Sequence, residues 1–102
     1  VTGNTSALRG SPNFAGFAPT KAAQRILAES LARDLGPKGV HVAYLVIDAV
    51  IDVPWAREMY SNAPDDFFIQ PKSIAAEVFH LAHQPKEAWT FISEVRPYRE
   101  KR

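Results

Sequence analysis

The run Val40-His-Val-Ala-Tyr-Leu-Val-Ile47 constrains the fold more than any other stretch of the chain. It is almost continuously apolar, rich in β-branched residues, and shows no alternation of polar with apolar positions. A strand with one wet face alternates, whereas a strand covered on both faces does not. The run therefore predicts a central strand of a parallel sheet with a layer on each side. Such a strand also needs partners along both edges. At 102 residues the chain has the length of one domain and not two. Its other segments offer little to cover and pair that strand.

Residues 1–13 are dominated by turn formers (Gly3, Asn4, Gly10, Pro12, Asn13) and read as a strand end followed by a loop. Ala22, Ile26, Leu27, Leu31 and Leu35 then recur at helical spacing, with Gln24, Arg25, Glu29 and Arg33 between them. The spacing predicts a helix over about residues 15–35, with Asn13 near its cap and Pro19 in its first turn. Gly36-Pro37 ends it. Residues 48–69 are irregular apart from a short helix around Trp55–Tyr60. A connection of that length is either partly helical or functional, such as a lid. Pro71 suits the first position of a second helix, whose stripe is Ile74, Ala75, Val78, Leu81 and Ala82, up to about His83. Pro85 stops it, Ala88–Val95 reads as a last strand, and Arg96–Arg102 as a charged tail. Helix and strand alternate as in an α/β fold with right-handed crossovers.

Composition removes several function classes. A hydrophobic content of 46% is too high for a disordered chain, and a net charge of +1 gives no basic field for nucleic acid. Without Cys there is no disulfide, thiolate metal site or thiol nucleophile. No apolar run approaches the roughly 20 residues that span a bilayer, and no signal peptide opens the chain. A soluble, cytoplasmic protein is expected, without membrane partners. The only Met is Met59, so the chain opens at Val1. Removal of a leading Met explains this, and so does a chain cut from something longer. His80 and His83 share a helix side, but two His without a third ligand fall short of a zinc site, and no metal is expected. His41 reads as a hydrogen-bonded residue of the buried strand. Asp65-Asp66 reads as a turn, and the mixed charges of Arg99-Glu-Lys-Arg102 as a solvated terminus.

The segment Phe17-Ala-Pro-Thr-Lys21-Ala-Ala leads into a helix, then Gly36-Pro-Lys-Gly-Val-His-Val42 and the buried strand. In this order it resembles the C-terminal part of a short-chain dehydrogenase/reductase. The resemblance covers essentially the whole chain and is most specific over Ala22–Val46. Ala88-Trp-Thr-Phe91 and Arg96-Pro-Tyr98 resemble the last strand and tail of some bacterial members. It implies an α/β fold, the C-terminal part of a Rossmann-like three-layer (αβα) parallel sheet. It also implies NAD or NADP as cofactor and a small carbonyl or alcohol as substrate. The family's Gly-rich phosphate loop belongs to an N-terminal half, and no such strand-to-helix turn occurs in this sequence. Residues 1–102 would then hold the catalytic helix, the sixth strand, the substrate loop and the last helix and strand of one domain. A homodimer or homotetramer follows from the same resemblance, with the helix over about 15–35 packing on its symmetry mate through Ala22, Ala23, Ala28 and Ala32.

The resemblance also assigns positions. The family's Ser, Tyr and Lys fall on Asn4, Phe17 and Lys21, and only Lys21 matches; Thr5 or Ser6 would replace Asn4 in another loop register. The family's Lys contacts the nicotinamide ribose. The strand-end residues beside the nicotinamide fall on Ile47 and Asp48, with Val50 and Asp52 following. Trp55, Met59 and Tyr60 fall in the substrate loop. Plainer roles compete: a solvated lysine at Lys21, a core aromatic at Phe17, a turn residue at Asn4, and a small apolar face at Trp55, Met59 and Tyr60. A phenyl ring neither gives nor takes a proton. Two functional expectations follow: an oxidoreductase with altered catalytic residues, or a non-catalytic relative used for assembly or ligand binding. A complete small interaction domain conflicts with a strand buried on both faces.

Overall fold

The computed structural model describes residues 1–100; Lys101 and Arg102, the end of the charged tail, lie outside the described residues. In chain order the elements are β1 (Thr2–Gly3), α1 (Ala18–Leu35), β2 (Tyr44–Ile47), β3 (Val50–Ile51), α2 (Pro54–Met59), β4 (Phe68–Ile69), α3 (Pro71–Ala82) and β5 (Ile92–Val95). β2 is the middle of a three-stranded parallel sheet, with Leu45 opposite Thr2 on β1 and Ser93 on β5. Among the described residues, the outer edges of β1 and β5 carry no further strand. A second, two-stranded parallel pair joins β3 to β4, with Val50 opposite Phe68.

The doubly buried strand is present. Tyr44, Leu45 and Val46 are almost completely enclosed. Tyr44 and Val46 pack with Ala7 and with Ala28 of α1. Leu45 points to the other face, into a groove shared with Val78 and Leu81 of α3. The ladder is shorter than the apolar run predicts. Gly39 takes φ 86°, and the Val40 N–H bonds back to the Leu35 carbonyl at 3.1 Å, so residues 36–40 finish the helix rather than begin the strand. β5 is also shorter than Ala88–Val95. A 3₁₀ turn takes residues 86–88, and the Gln84 amide holds Thr90: its Nε2 donates to Thr90 Oγ1 (2.8 Å) and its Oε1 accepts from the Thr90 backbone N–H (3.0 Å).

α1 begins at Ala18, later than its periodicity suggests. Asn13 does not cap it but turns the chain at φ 70°. Pro19 does fall in the first turn, where a missing N–H costs nothing. The helix buries Ala18 and Ala28, whereas Ile26, Leu27 and Leu31 of the expected apolar stripe remain between 41% and 61% exposed. Small side chains let α1 come close enough for the Arg25 Nε–H to reach the Ala7 carbonyl at 2.9 Å. Ala28, expected at a contact between subunits, is consumed inside the chain. The radius of gyration is 15.2 Å, against about 13 Å for a closed domain of this length. That excess matches an apolar stripe with no cover.

β1 and β2 meet at one tight point. The ring of Tyr44 lies against Gly3 so closely that a Cβ there would stand 1.8 Å from Oη and 2.4 Å from Cζ. The hydroxyl has no hydrogen-bond partner among the described residues. Burial raises its pKa above the ordinary tyrosine value, with Arg25 opposing the rise. No helix of the described residues is long and apolar enough to cross a membrane.

Candidate functional site

Parallel strands end together, and the chain leaves β1 and β2 on the same side of the sheet. Asn4 follows β1, Ile47 closes β2, and Asp48 to Val50 lead into β3. A cleft of about 500 Å³ opens there, walled by Phe14 and Phe17 and by Tyr60 and Phe67. Of the positions marked in the sequence, Asn4, Phe17, Ile47, Asp48, Val50 and Tyr60 line this cleft. Lys21, Asp52, Trp55 and Met59 do not.

Asn4 opens a 3₁₀ turn, and its Oδ1 accepts from the Ser6 N–H at 3.1 Å. Its acceptor is thus engaged in the turn, and the amide N–H groups are what it offers the cleft. Phe17 is 46% exposed with its ring centroid 6.2 Å from that of Phe14, so it is no core aromatic. Lys21 lies one helical turn further on, where Nζ donates to Gln24 Oε1 at 2.7 Å, along the helix.

Asp48 is largely buried and pairs with Arg96 at 3.4 Å. Arg96 also pairs with Glu94. Glu100, from the tail, reaches the cleft wall. The tail is fastened to the loop before β4 by the Tyr98 hydroxyl, which donates to Asp66 Oδ2 at 3.0 Å. Phe14, Phe67, Arg96 and Glu100 were not marked by sequence reasoning. The tail motif Arg96-Pro-Tyr98 is a usable sequence signal for Arg96. The other three carry no pattern beyond their residue type.

Asp52 has a different occupation. Arg57 grips it with two bonds, Nε to Oδ1 at 2.6 Å and Nη2 to Oδ2 at 2.9 Å, and Gln70 Nε2 adds a third at 2.7 Å. The same guanidinium donates to Asp65 at 2.7 Å and lies 4.2 Å from the Phe68 ring centre. This cluster pins α2 to β4. Hydrogen bonds from Arg57, then Gln70, hold the Asp52 carboxyl down at about 2. A depressed carboxyl contributes stability above its unfolded value near 3.8, and that contribution is lost as pH falls toward 2. Acid titration of the unfolding midpoint is therefore expected to be shallower between pH 4 and 2 in Asp52→Asn than in the unaltered chain. Equal slopes would count against the clasp.

Trp55 and Met59 are 65% and 67% exposed on the outside of α2, whereas Tyr60 turns inward, 5.3 Å from Phe67. His80 bonds Glu77 and His83 bonds the Phe79 carbonyl; no group of three potential metal ligands occurs among the described residues. His41 lies just before β2, bonded to the Thr90 carbonyl at 2.8 Å and stacked on Trp89.

The cleft suits the nicotinamide end of a dinucleotide. Its walls are aromatic and aliphatic, and Arg96 compensates the carboxylate at the end of β2. No Gly-rich turn in the sequence supplies a pyrophosphate cradle.

A parallel sheet with helices on both faces and a cleft beyond the carboxyl ends of its strands defines a Rossmann-like α/β protein. The comparisons narrow that class. A short-chain dehydrogenase from Rhodopseudomonas palustris superposes with a TM-score of 0.70 at 41% identity, over 95% of this chain and 36% of that one. An alcohol dehydrogenase from the archaeon Thermococcus sibiricus, complexed with 5-hydroxy-NADP, superposes with a TM-score of 0.76 at 22% identity. That match covers 100% of this chain and 42% of the other, and it supports the fold. No family model and no curated protein matches the sequence. Sequence and fold together are those of a short-chain dehydrogenase segment, spanning well under half the length of either solved chain.

Proposed function

We propose that the chain forms the C-terminal part of an NAD(P)-dependent short-chain oxidoreductase acting on a small carbonyl or alcohol. The dinucleotide-binding half would lie elsewhere in the protein. One observation carries this reading: the strand ends gather Asn4, Phe17, Ile47 and Asp48 around one cleft. The archaeal neighbour's NADP derivative adds support for a nicotinamide nucleotide. A bound nucleotide would supply or accept hydride. Asn4 would donate an N–H to the substrate oxygen, and Tyr60 would close the substrate side. Lys21 would swing from Gln24 to the ribose. Phe17 supplies no proton, so turnover is slow. The exposed stripe Ile26, Leu27 and Leu31 supports assembly into a homodimer or homotetramer.

A second reading, ligand binding without chemistry, is favoured by the same phenyl ring and by the engagement of Asn4 Oδ1 in its turn. Fluorescence titration of the protein encoded by the complete gene with NADPH and NADH tests the first reading. Saturable binding of at least one, with slow carbonyl reduction, is expected. Failure of both to bind would refute it, and binding without any turnover would favour the second.

A further inference from the structure

Two neighbouring carboxylates in the 3₁₀ turn before β4 are committed in different directions. Asp65 accepts from Arg57 Nη1 at 2.7 Å, which ties the turn to α2. Asp66 accepts from the Tyr98 hydroxyl at 3.0 Å and pairs with Arg99 at 3.5 Å, which ties the same turn to residues 96–100. The root of that segment belongs to the sheet. Arg96 directly follows β5 and pairs with Asp48 just beyond β2. Residues 96–100 therefore run from the strand ends to the turn, and Glu100 lies along the cleft on the way. On the turn side of the cleft stand Tyr60, at the end of α2, and Phe67, in the turn itself.

The bonds along this path are unequal. Arg57 makes two bonds to Asp52 and one to Asp65, so α2 and the turn hold together. The side chains of Arg96 and Asp48 are only 19% and 12% exposed, where an ion pair is little screened. Tyr98 is 79% exposed, and its single bond to Asp66 competes with water. The Arg99–Asp66 pair is longer and also open to solvent, so it adds little. Tyr98 on Asp66 is the joint that gives first.

We propose that residues 96–100 form a reversible strap beside the cleft, with Tyr98 on Asp66 as its clasp, holding the Tyr60–Phe67 wall toward the strand ends. Release of the clasp frees the turn and carries Glu100 away from the cleft. The inference goes beyond the proposed reaction, because it concerns access to the cleft whatever the cleft binds.

Tyr98→Phe in the protein from the complete gene tests it. The variant removes one exposed oxygen and no core atom, so the fold is kept. Hydrogen–deuterium exchange read by mass spectrometry is expected to quicken about fivefold over residues 61–67, with α1 and α3 unchanged. The Phe67 N–H, bonded to the Pro64 carbonyl at 3.0 Å, is among the amides that report it. Quickening confined to residues 96–100 would overturn the proposal, since the segment would then rest on the turn without holding it. No change anywhere would do the same. Stopped-flow fluorescence with NADPH supplies a second readout. A clasp acts on both directions of passage, so association and release should each quicken about threefold and leave Kd nearly unchanged. Faster release alone would make Tyr98 a binding contact and overturn the strap. A protein that binds no nucleotide would sink the oxidoreductase reading, and the exchange result would still decide this one.

Discussion

Phe17→Tyr is expected to raise NADPH-dependent carbonyl reduction by about 10²–10⁴-fold, the range of a well-placed general acid. Phe17 stands at the cleft, one helical turn before Lys21, and its ring is half exposed, so a hydroxyl on it meets open space and not core. Among the described residues Lys21 Nζ donates to Gln24, on the helix surface, so it is available to lower the pKa of a tyrosine one turn away. Initial rates with NADPH and a set of small aldehydes and ketones measure the effect. The gain should be in kcat and should follow a pH profile absent from the unaltered protein. A variant that binds nucleotide as before and gains no activity would show that more than the proton donor separates the chain from an active reductase. The reading as a binding protein would then replace the first.

Gly3→Ala is expected to destabilise the fold by about 3 kcal/mol or more. Added carbon at that position would overlap the Tyr44 ring, which is rigid and fully enclosed, so neither partner can yield without moving β1 from β2. Loss on that scale is a large share of the net stability of a domain. Tyr44→Phe is expected to act in the opposite direction, by about 1 kcal/mol, because it removes a buried hydroxyl that lacks a partner among the described residues. Its Cζ would still stand 2.4 Å from a Cβ at Gly3, so Tyr44→Phe should not rescue Gly3→Ala. Urea midpoints for the two single variants and the double variant decide this. A Gly3→Ala midpoint equal to that of the unaltered chain would show that β1 is not seated as described.

Those two sites show what the sequence revealed and what it hid. The apolar run made the buried strand legible, because burial on both faces leaves its mark on every residue, and Tyr44, Leu45 and Val46 are enclosed accordingly. Pro71 marked the start of α3 correctly because its fixed φ and missing N–H suit one helical position above others. α1 starts later than the sequence predicts because Asn13 can cap a helix or turn a loop, and only the loop's path selects φ 70°. Periodicity identified the apolar side of α1 but not which residues would meet the sheet; Ala28 does so because close approach excludes larger side chains. β3 and β4, at two residues each, are too short for any periodicity to register. In the cleft, Asn4, Phe17 and Asp48 are positions that the family resemblance marks, and the fold brings them to one place. Glu100 in the cleft wall and Arg96 behind Asp48 come from the far end of the chain, and only folding brings them there. Asp52 illustrates the limit of transfer by position: it faces Arg57 and Gln70 instead of the cleft.

The outer margins of the three-stranded sheet have a consequence for handling the chain by itself. Every second peptide group along β1 and β5 points its N–H or C=O away from the ladder, and Ile92 adds an exposed side chain to that margin. Such margins are templates on which another copy can lay a strand in register. Held at high concentration, the isolated chain would therefore tend toward edge-to-edge sheet growth and fibrous precipitation, with β5 as the seed.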